Sequence, residues 1–272
     1  MQVHSLYIYP VKSLAGIKVS SFCIDEFGPA GDRRWMIVDA DRQFVTQRSN
    51  PELARVVTRL AEGRVVVDIP GEGEFSLVAG DEAARVRVWR DWTKAVFGTS
   101  DASEALSRYC GQPLRFVFMP DETFRRVDAS RVTEYRRVSF ADGFPFLITN
   151  LSSLDELNSR LETAVEMRRF RPNIVVEGAL AWEEDEWKAL TINNLGFSLV
   201  KPCSRCVMTT VDPDRGVKAQ DLQPLRELGT YRRTAEGVIF GMNAIHEVTG
   251  EIRVGDPVTF AADATTATTE NQ

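Results

Sequence analysis

The chain has 272 residues, of which 43% are apolar and 26% charged, with a formal net charge of −6. That length can bury a sizeable core in one large or two ordinary domains, and the composition is that of a globular protein. The acidic balance argues against a nucleic-acid partner recognised by a basic face, and no apolar run approaches the roughly 20 residues that span a bilayer.

The opening, MQVHSLYIYPVKS, lacks the basic stretch and long apolar run of a signal peptide, so a cytoplasmic location is expected. Four cysteines (Cys23, Cys110, Cys203, Cys206) are too few for a disulfide scaffold at this length. The only histidines are His4 and His246, which rules out a His-rich zinc site. His4 reads as a surface or packing residue.

The first third reads as β-sheet. VHSLYIYPV, IKVSSFCID, RRWMIVDAD, RQFVTQR, RVVVDIP and FSLVAG are short β-branched and aromatic runs punctuated by Gly, Pro and Asp. Asp41-Arg42 and GEGE at 71–74 read as hairpin turns. Such close spacing suggests a barrel or rolled sheet. DASEALSRYCG then reads as a helix closed by Gly111, with Cys110 on its core face. The strand PLRFVFMP follows, and the polar, Arg-rich stretch 121–139 reads as a linker or long loop.

FPFLITN opens the second half as an apolar strand. It runs into a helix marked by Leu154, Leu157 and Leu161, with Ser153 and Glu156 as a capping box. RFRPNIVVEG, WKALTI, FSLVKPC, VIFGMNAIHEV and GEIRVGDPVTF read as strands, and QDLQPLREL as a short helix. EEDE at 183–186 reads as a solvated loop face, and the Gly-Asp-Pro of IRVGDPV as a turn closing a barrel. The expected class is mainly β with a few helices (α+β): an N-terminal β-barrel-like domain over 1–120, a second β-barrel domain over 121–262, and a disordered tail over 263–272.

The chemistry concentrates in KPCSRCVMTTVDPDRG, 201–216. Four readings fit its C-x-x-C: a zinc half-site, a thioredoxin-like pair, a single functional thiolate at Cys206, and two buried cysteines. Zinc needs ligands that only scattered residues could add. A redox pair needs a helix N-terminus that the strand-like continuation does not offer. Arg205 beside Cys206 favours a thiolate. Asp212 and Asp214 read as turn-forming residues that orient the loop. Basic residues also sit at element ends: Lys12, Arg33-Arg34, Arg168, Arg169 and Arg171 around Phe170, and Arg232-Arg233. Together with the thiolate they suggest a pocket for a small phosphorylated ligand.

YPVKSLAG (9–16), GDRRWMIVD (31–39), FRPNIVVEG (170–178), PCSRCVMTTVDPDRG (202–216) and IRVGDPV (252–258) resemble the MOSC family, named for the molybdenum cofactor sulfurase C-terminal domain. The resemblance spans roughly residues 1–260, and the pattern is most similar to members that reduce amidoximes and other N-hydroxylated bases. It implies an N-terminal barrel domain followed by the MOSC domain. It also implies a molybdenum cofactor (Mo-molybdopterin) with Cys206 as metal ligand and catalytic centre, and Lys12, Ser13, Arg33, Arg171, Asn173, Ser204 and Asn243 as cofactor contacts. The implied activity is reduction of a small N-hydroxylated substrate. No cysteine follows Cys206, so an iron–sulfur domain is not expected on this chain; the donor would be a separate ferredoxin, flavodoxin or flavoprotein reductase. The alternative is a cofactor carrier or sulfur-transfer protein using a Cys206 persulfide.

Overall fold

A computed structural model describes residues 1–260; the expected tail, 263–272, lies outside them. The second half is built on one large sheet. Its strands run, in spatial order, Val258–Phe260, Ala189–Ile192, Leu195–Ser204, Gly237–His246, Phe146–Asn150, Ile174–Glu177, Gln2–Ile8 and Ile17–Val19. All adjacent pairs are antiparallel except Phe146–Asn150 beside Ile174–Glu177. That parallel pair is spanned by the helix Leu151–Ser159, as a crossover requires. All five residues of Phe146–Asn150 are buried, and its first three, Phe146-Leu147-Ile148, form the apolar run that marks it as a strand. The predicted Gly-Asp-Pro turn does close the sheet. Val3 N–H donates to Asp256 O at 2.9 Å, Val258 N–H donates to Met1 O at 3.0 Å, and Gln2 bridges Pro257.

The first strand therefore belongs to the sheet of the second half. Ser21–Asp25 likewise pairs with Gly250–Arg253. Residues from about 35 to 118 form their own units. A four-stranded sheet (Trp35–Val38, Arg115–Phe118, Asp91–Gly98, Ala79–Val88) has its edges joined by bridges at Gln43–Arg87 and Val38–Phe44. Its interior is filled by Met36, Val38, Val86, Phe97 and Val117. A smaller sheet, Val57–Ala61, Arg64–Ile69 and Gly73–Ser76, packs with the helix Ser100–Cys110 around Leu53, Val67, Leu106 and Phe116. Gly111 ends that helix in the left-handed conformation (φ 65°), and Cys110 packs on its core side, where burial pushes the thiol up to about 12.

Several local expectations are corrected. The hairpin Ala79–Val88/Asp91–Gly98 is missing from the sequence reading; its alternation covers only Ala84, Val86 and Val88, because Asp81, Glu82 and Ala83 before them are all exposed. RQFVTQR forms only single bridges. The second-half helix starts at Leu151, capped by Asn150, whose side-chain oxygen accepts from Ser152 N–H at 3.1 Å. Ser153 thus lies inside the helix and donates to Glu184 instead (2.7 Å). Glu184, expected on a solvated face, is fully buried between Ser153 and Asn150, and burial raises its carboxyl. Asn150 is equally buried and also donates to Leu180 O at 2.6 Å. Asn150→Ala should cost about 1–3 kcal/mol, read as a lower urea midpoint at unchanged slope, because it removes a cap and strands buried acceptors.

Candidate active site

The site grows from the loop after the first strand. Tyr9, fully buried, donates its hydroxyl to Pro172 O at 3.1 Å, and its N–H goes to Asp32 Oδ1 at 2.8 Å. Its ring is stacked by two guanidinium groups, Arg33 at 4.6 Å and Arg171 at 4.2 Å from the centroid. Gly16 makes room for this arrangement: a Cβ there would sit 2.3 Å from Tyr9 Cε1. Asp32 holds Arg33 Nη1 at 2.5 Å and accepts from Asn173 Nδ2 at 3.2 Å. Asn173 Oδ1 in turn accepts from Leu147 N–H, so this fully buried amide braces two strands beneath the arginines.

Lys12, only 5% exposed, donates to Phe140 O (2.8 Å) and Asp142 Oδ1 (2.5 Å). Burial lowers Lys12 to about 8 against the pull of Asp142. Burial alone would raise the Asp142 carboxyl, but the Lys12 and Arg48 cations outweigh it and hold it well below the usual carboxylate range. Arg48 joins this pair to the cysteine loop. Its Nη2 lies 3.4 Å from Asp142 Oδ2, and its Nε donates to Cys206 Sγ at 3.3 Å.

Cys206 follows the strand Leu195–Ser204 and begins the short 3-10 turn Val207–Thr210. Its carbonyl accepts from Thr209 N–H and Oγ1, both at 3.0 Å, which fixes the loop while the sulfur faces the cleft. The two cysteines of the C-x-x-C are held differently. Arg205 Nη1 lies 2.9 Å from Cys203 Sγ, while Arg48 serves Cys206. The sequence expectation that Arg205 is the partner of Cys206 is thus corrected. Behind the loop, Asp212 Oδ1 accepts from the N–H groups of Asp214 and Arg215, an Asx-type turn, and its Oδ2 holds Arg169 at 3.2 Å.

All eight residues singled out from the sequence (Lys12, Ser13, Arg33, Arg171, Asn173, Ser204, Cys206 and Asn243) line one cleft. Arg48 and Asp142 line it too and escaped the sequence reading of the site, and Arg48 sits in a stretch expected to be a plain strand; Arg169, one of the basic residues read as gathering around a pocket, lines it as well. Arg34, Arg168 and Arg232 do not reach it, since Asp121, Asp214 and Asp185 engage them elsewhere. Six cations face a single lining carboxylate. Ser13 (φ 71°), Arg33 (φ 50°) and Arg171 (φ 57°) all take left-handed backbone, so strain gathers at this cleft. Neither histidine lines it. His246 packs against Phe146 inside the sheet, where burial lowers it to about 4. Among the described residues no group of three or more His, Cys, Asp or Glu is placed to hold a metal ion.

The family model of the MOSC N-terminal beta barrel domain matches residues 1–113, and that of the MOSC domain matches residues 135–259. Mitochondrial amidoxime reducing component 2 of Rattus norvegicus is 32% identical over 94% of this chain and 82% of its own length. The chain belongs to the MOSC family. Mitochondrial amidoxime-reducing component 1 of Homo sapiens is 33% identical with the same coverage. Within this MOSC chain, the family segments that begin at residues 1 and 135 both contribute to the cleft: Lys12, Arg33 and Arg48 from one, Arg171 and Cys206 from the other.

Two outcomes test this geometry. Gly16→Ala should displace the Tyr9 ring and cost about 1–3 kcal/mol in denaturant unfolding. Asp142→Asn should cost less, about 1 kcal/mol, because buried Lys12 loses its carboxylate but Asp142 itself is largely solvent-exposed. The Asp142 carboxyl is depressed in the folded state, so its contribution is present above the unfolded value of about 3.9 and is lost as pH falls below it. The stability gap between wild type and Asp142→Asn should therefore be full near pH 7 and close on acidification, as urea titrations at several pH values would show.

Proposed function

We propose that this protein reduces small N-hydroxylated compounds (amidoximes, hydroxylamines and N-hydroxylated nucleobases) to amidines or amines, using the molybdenum cofactor and an external electron donor. The observation that carries the reading is the Cys206 sulfur in a cleft where six cations face one carboxylate. Such a set of partly desolvated cations calls for an anionic partner. The named activity of relatives about 30% identical over most of the chain supports the substrate class.

The donor set fits this cofactor. A soft cysteine sulfur suits molybdenum, and Lys and Arg suit a pterin phosphate. Arg171 offers the most specific sign of fit. Its Nη1 donates to Leu14 O at 2.7 Å, while its Nη2 is buried with no protein partner. Burial lowers Arg171 to about 10, so it remains a cation at neutral pH. In this reading Cys206 Sγ is the metal ligand. Lys12, Arg33 and Arg171 hold the phosphate end, and Ser13, Asn173, Ser204 and Asn243 line its polar edges. When bound, the cofactor supplies the two-electron reduction of the N–O bond: R–NH–OH + 2 e⁻ + 2 H⁺ gives R–NH₂ + H₂O. The chain's own residues position that chemistry. Asp142 keeps Arg48 and Lys12 aligned, and Arg48 directs a charged N–H at the Cys206 sulfur.

Electrons would come singly from a separate protein such as a ferredoxin, flavodoxin or flavoprotein reductase. A cytoplasmic setting suits the four free thiols, and no helix among the described residues is long and apolar enough to cross a membrane.

The test is amidoxime reduction by protein from a cofactor-competent host, driven by a chemical reductant. Wild type should form amidine; Cys206→Ala should form none while melting at the wild-type temperature, and Cys203→Ala should stay active. Arg171→Ala should retain less pterin. Turnover by Cys206→Ala would overturn the ligand assignment. A persulfide on Cys206 in an inactive wild type would point to sulfur transfer instead.

A further inference from the structure

Trp89 occupies the tip of the long hairpin Ala79–Val88/Asp91–Gly98 and takes a left-handed backbone (φ 56°), a costly choice for a bulky residue. The strained turn carries the indole to the rim of the cleft. Trp89 Nε1 donates to Asp142 Oδ1 at 3.1 Å, and the Arg48 guanidinium lies 4.7 Å from the ring. Arg48 Nε is itself 3.3 Å from Cys206 Sγ. Two contacts therefore join an indole that is 45% exposed to the sulfur at the centre of the site.

The outward face of the same hairpin is basic and aromatic. The register sets Arg85 opposite Lys94 and Arg87 opposite Trp92, with Arg90 beside Trp89 at the tip, all exposed. Trp92 is 46% exposed under the Arg85 guanidinium. Of the nearby carboxylates, Asp91 is engaged by Arg125 at 3.0 Å, Asp142 by Lys12 and Arg48, and Glu82 by Arg115, which leaves exposed Asp81 at the far end of the hairpin from the tip. On a chain of net charge −6, four cations without a carboxylate partner (Arg85, Arg87, Arg90 and Lys94) around two exposed tryptophans stand apart from the average surface.

We propose that this hairpin face is where the electron donor docks, and that the donor is an acidic one-electron carrier protein. The inference rests on the reductase reading. Each docking oxidises the carrier by one electron and delivers it past Trp89 and Arg48 toward Cys206; two dockings supply one turnover. Charge complementarity suits such an encounter, because carriers bind through small, quickly released interfaces steered by electrostatics.

The probe is a plant-type [2Fe–2S] ferredoxin, an acidic carrier, titrated calorimetrically into the full chain. Binding should be strong at low salt and fall steeply as salt rises. The Arg85→Glu/Arg90→Glu/Lys94→Glu variant should weaken it at least about tenfold, and Arg85→Gln/Arg90→Gln by less. Basic cytochrome c should not bind this face. With loaded enzyme, the charge-reversed variant should raise KM for ferredoxin and leave dithionite-driven turnover unchanged. No ferredoxin binding at low salt, or binding indifferent to the charge reversals, would overturn the docking face. Wild type inactive even with dithionite would instead overturn the reductase reading, whatever the binding experiment gives.

Discussion

The structure turns on an excess of positive charge, one buried lysine and five half-buried arginines. Lys12, Arg33, Arg48, Arg169, Arg171 and Arg205 converge on one cleft, and only Asp142 lines it with them. Desolvating that many cations is expensive, and the fold offsets the cost in three ways. Asp32 and Asp212 hold Arg33 and Arg169 from behind. Tyr9 offers its ring faces to two guanidinium groups. Asp142 bridges Lys12 and Arg48. Arg171 lines the cleft and keeps a buried Nη2 with no protein partner. An anionic ligand would complete this balance. Ser13, Arg33 and Arg171 accept left-handed backbone at this cleft, strain that such sites gather.

The assembly draws on distant parts of the chain. Arg48 and Cys206 meet across 158 residues, Lys12 and Asp142 across 130. The means is the first strand. By joining the large sheet beside Ile174–Glu177, it carries the Tyr9–Gly16 loop onto the loop that bears Arg171. The closing turn at Gly255-Asp256 then ties the last strand to the first. The site therefore depends on sheet closure, and the small barrel adds Arg48 and the Trp89 hairpin at its rim.

Much of this was legible in the sequence. The β-rich class, the helix ended by Gly111, both early turns and the closing Gly-Asp-Pro turn follow from local chemistry that tertiary contacts did not override. The contents of the cleft were legible because family motifs mark them, from YPVKS to PCSRC. What stayed hidden depends on long-range contact. Glu184 sits in a run of four acids, and nothing local says that one of them is buried against Ser153 and Asn150. Arg48 looks like strand punctuation until the fold brings it to Cys206. The Ala79–Gly98 hairpin hides because its apolar alternation is short, Ala84 to Val88, after the exposed run Asp81-Glu82-Ala83. The capping box misled for a similar reason: Ser153 satisfies the pattern locally, but Asn150, a better acceptor three residues earlier, has buried partners of its own.

The central claim is that the Cys206 cleft exists to hold an anionic molybdenum cofactor. Elemental mass spectrometry on protein from a cofactor-competent host tests it most directly. The account predicts near-stoichiometric molybdenum in the wild-type chain and its loss in a folded Cys206→Ala chain. Zinc in its place, or a folded wild-type chain from that host with no molybdenum, would contradict it.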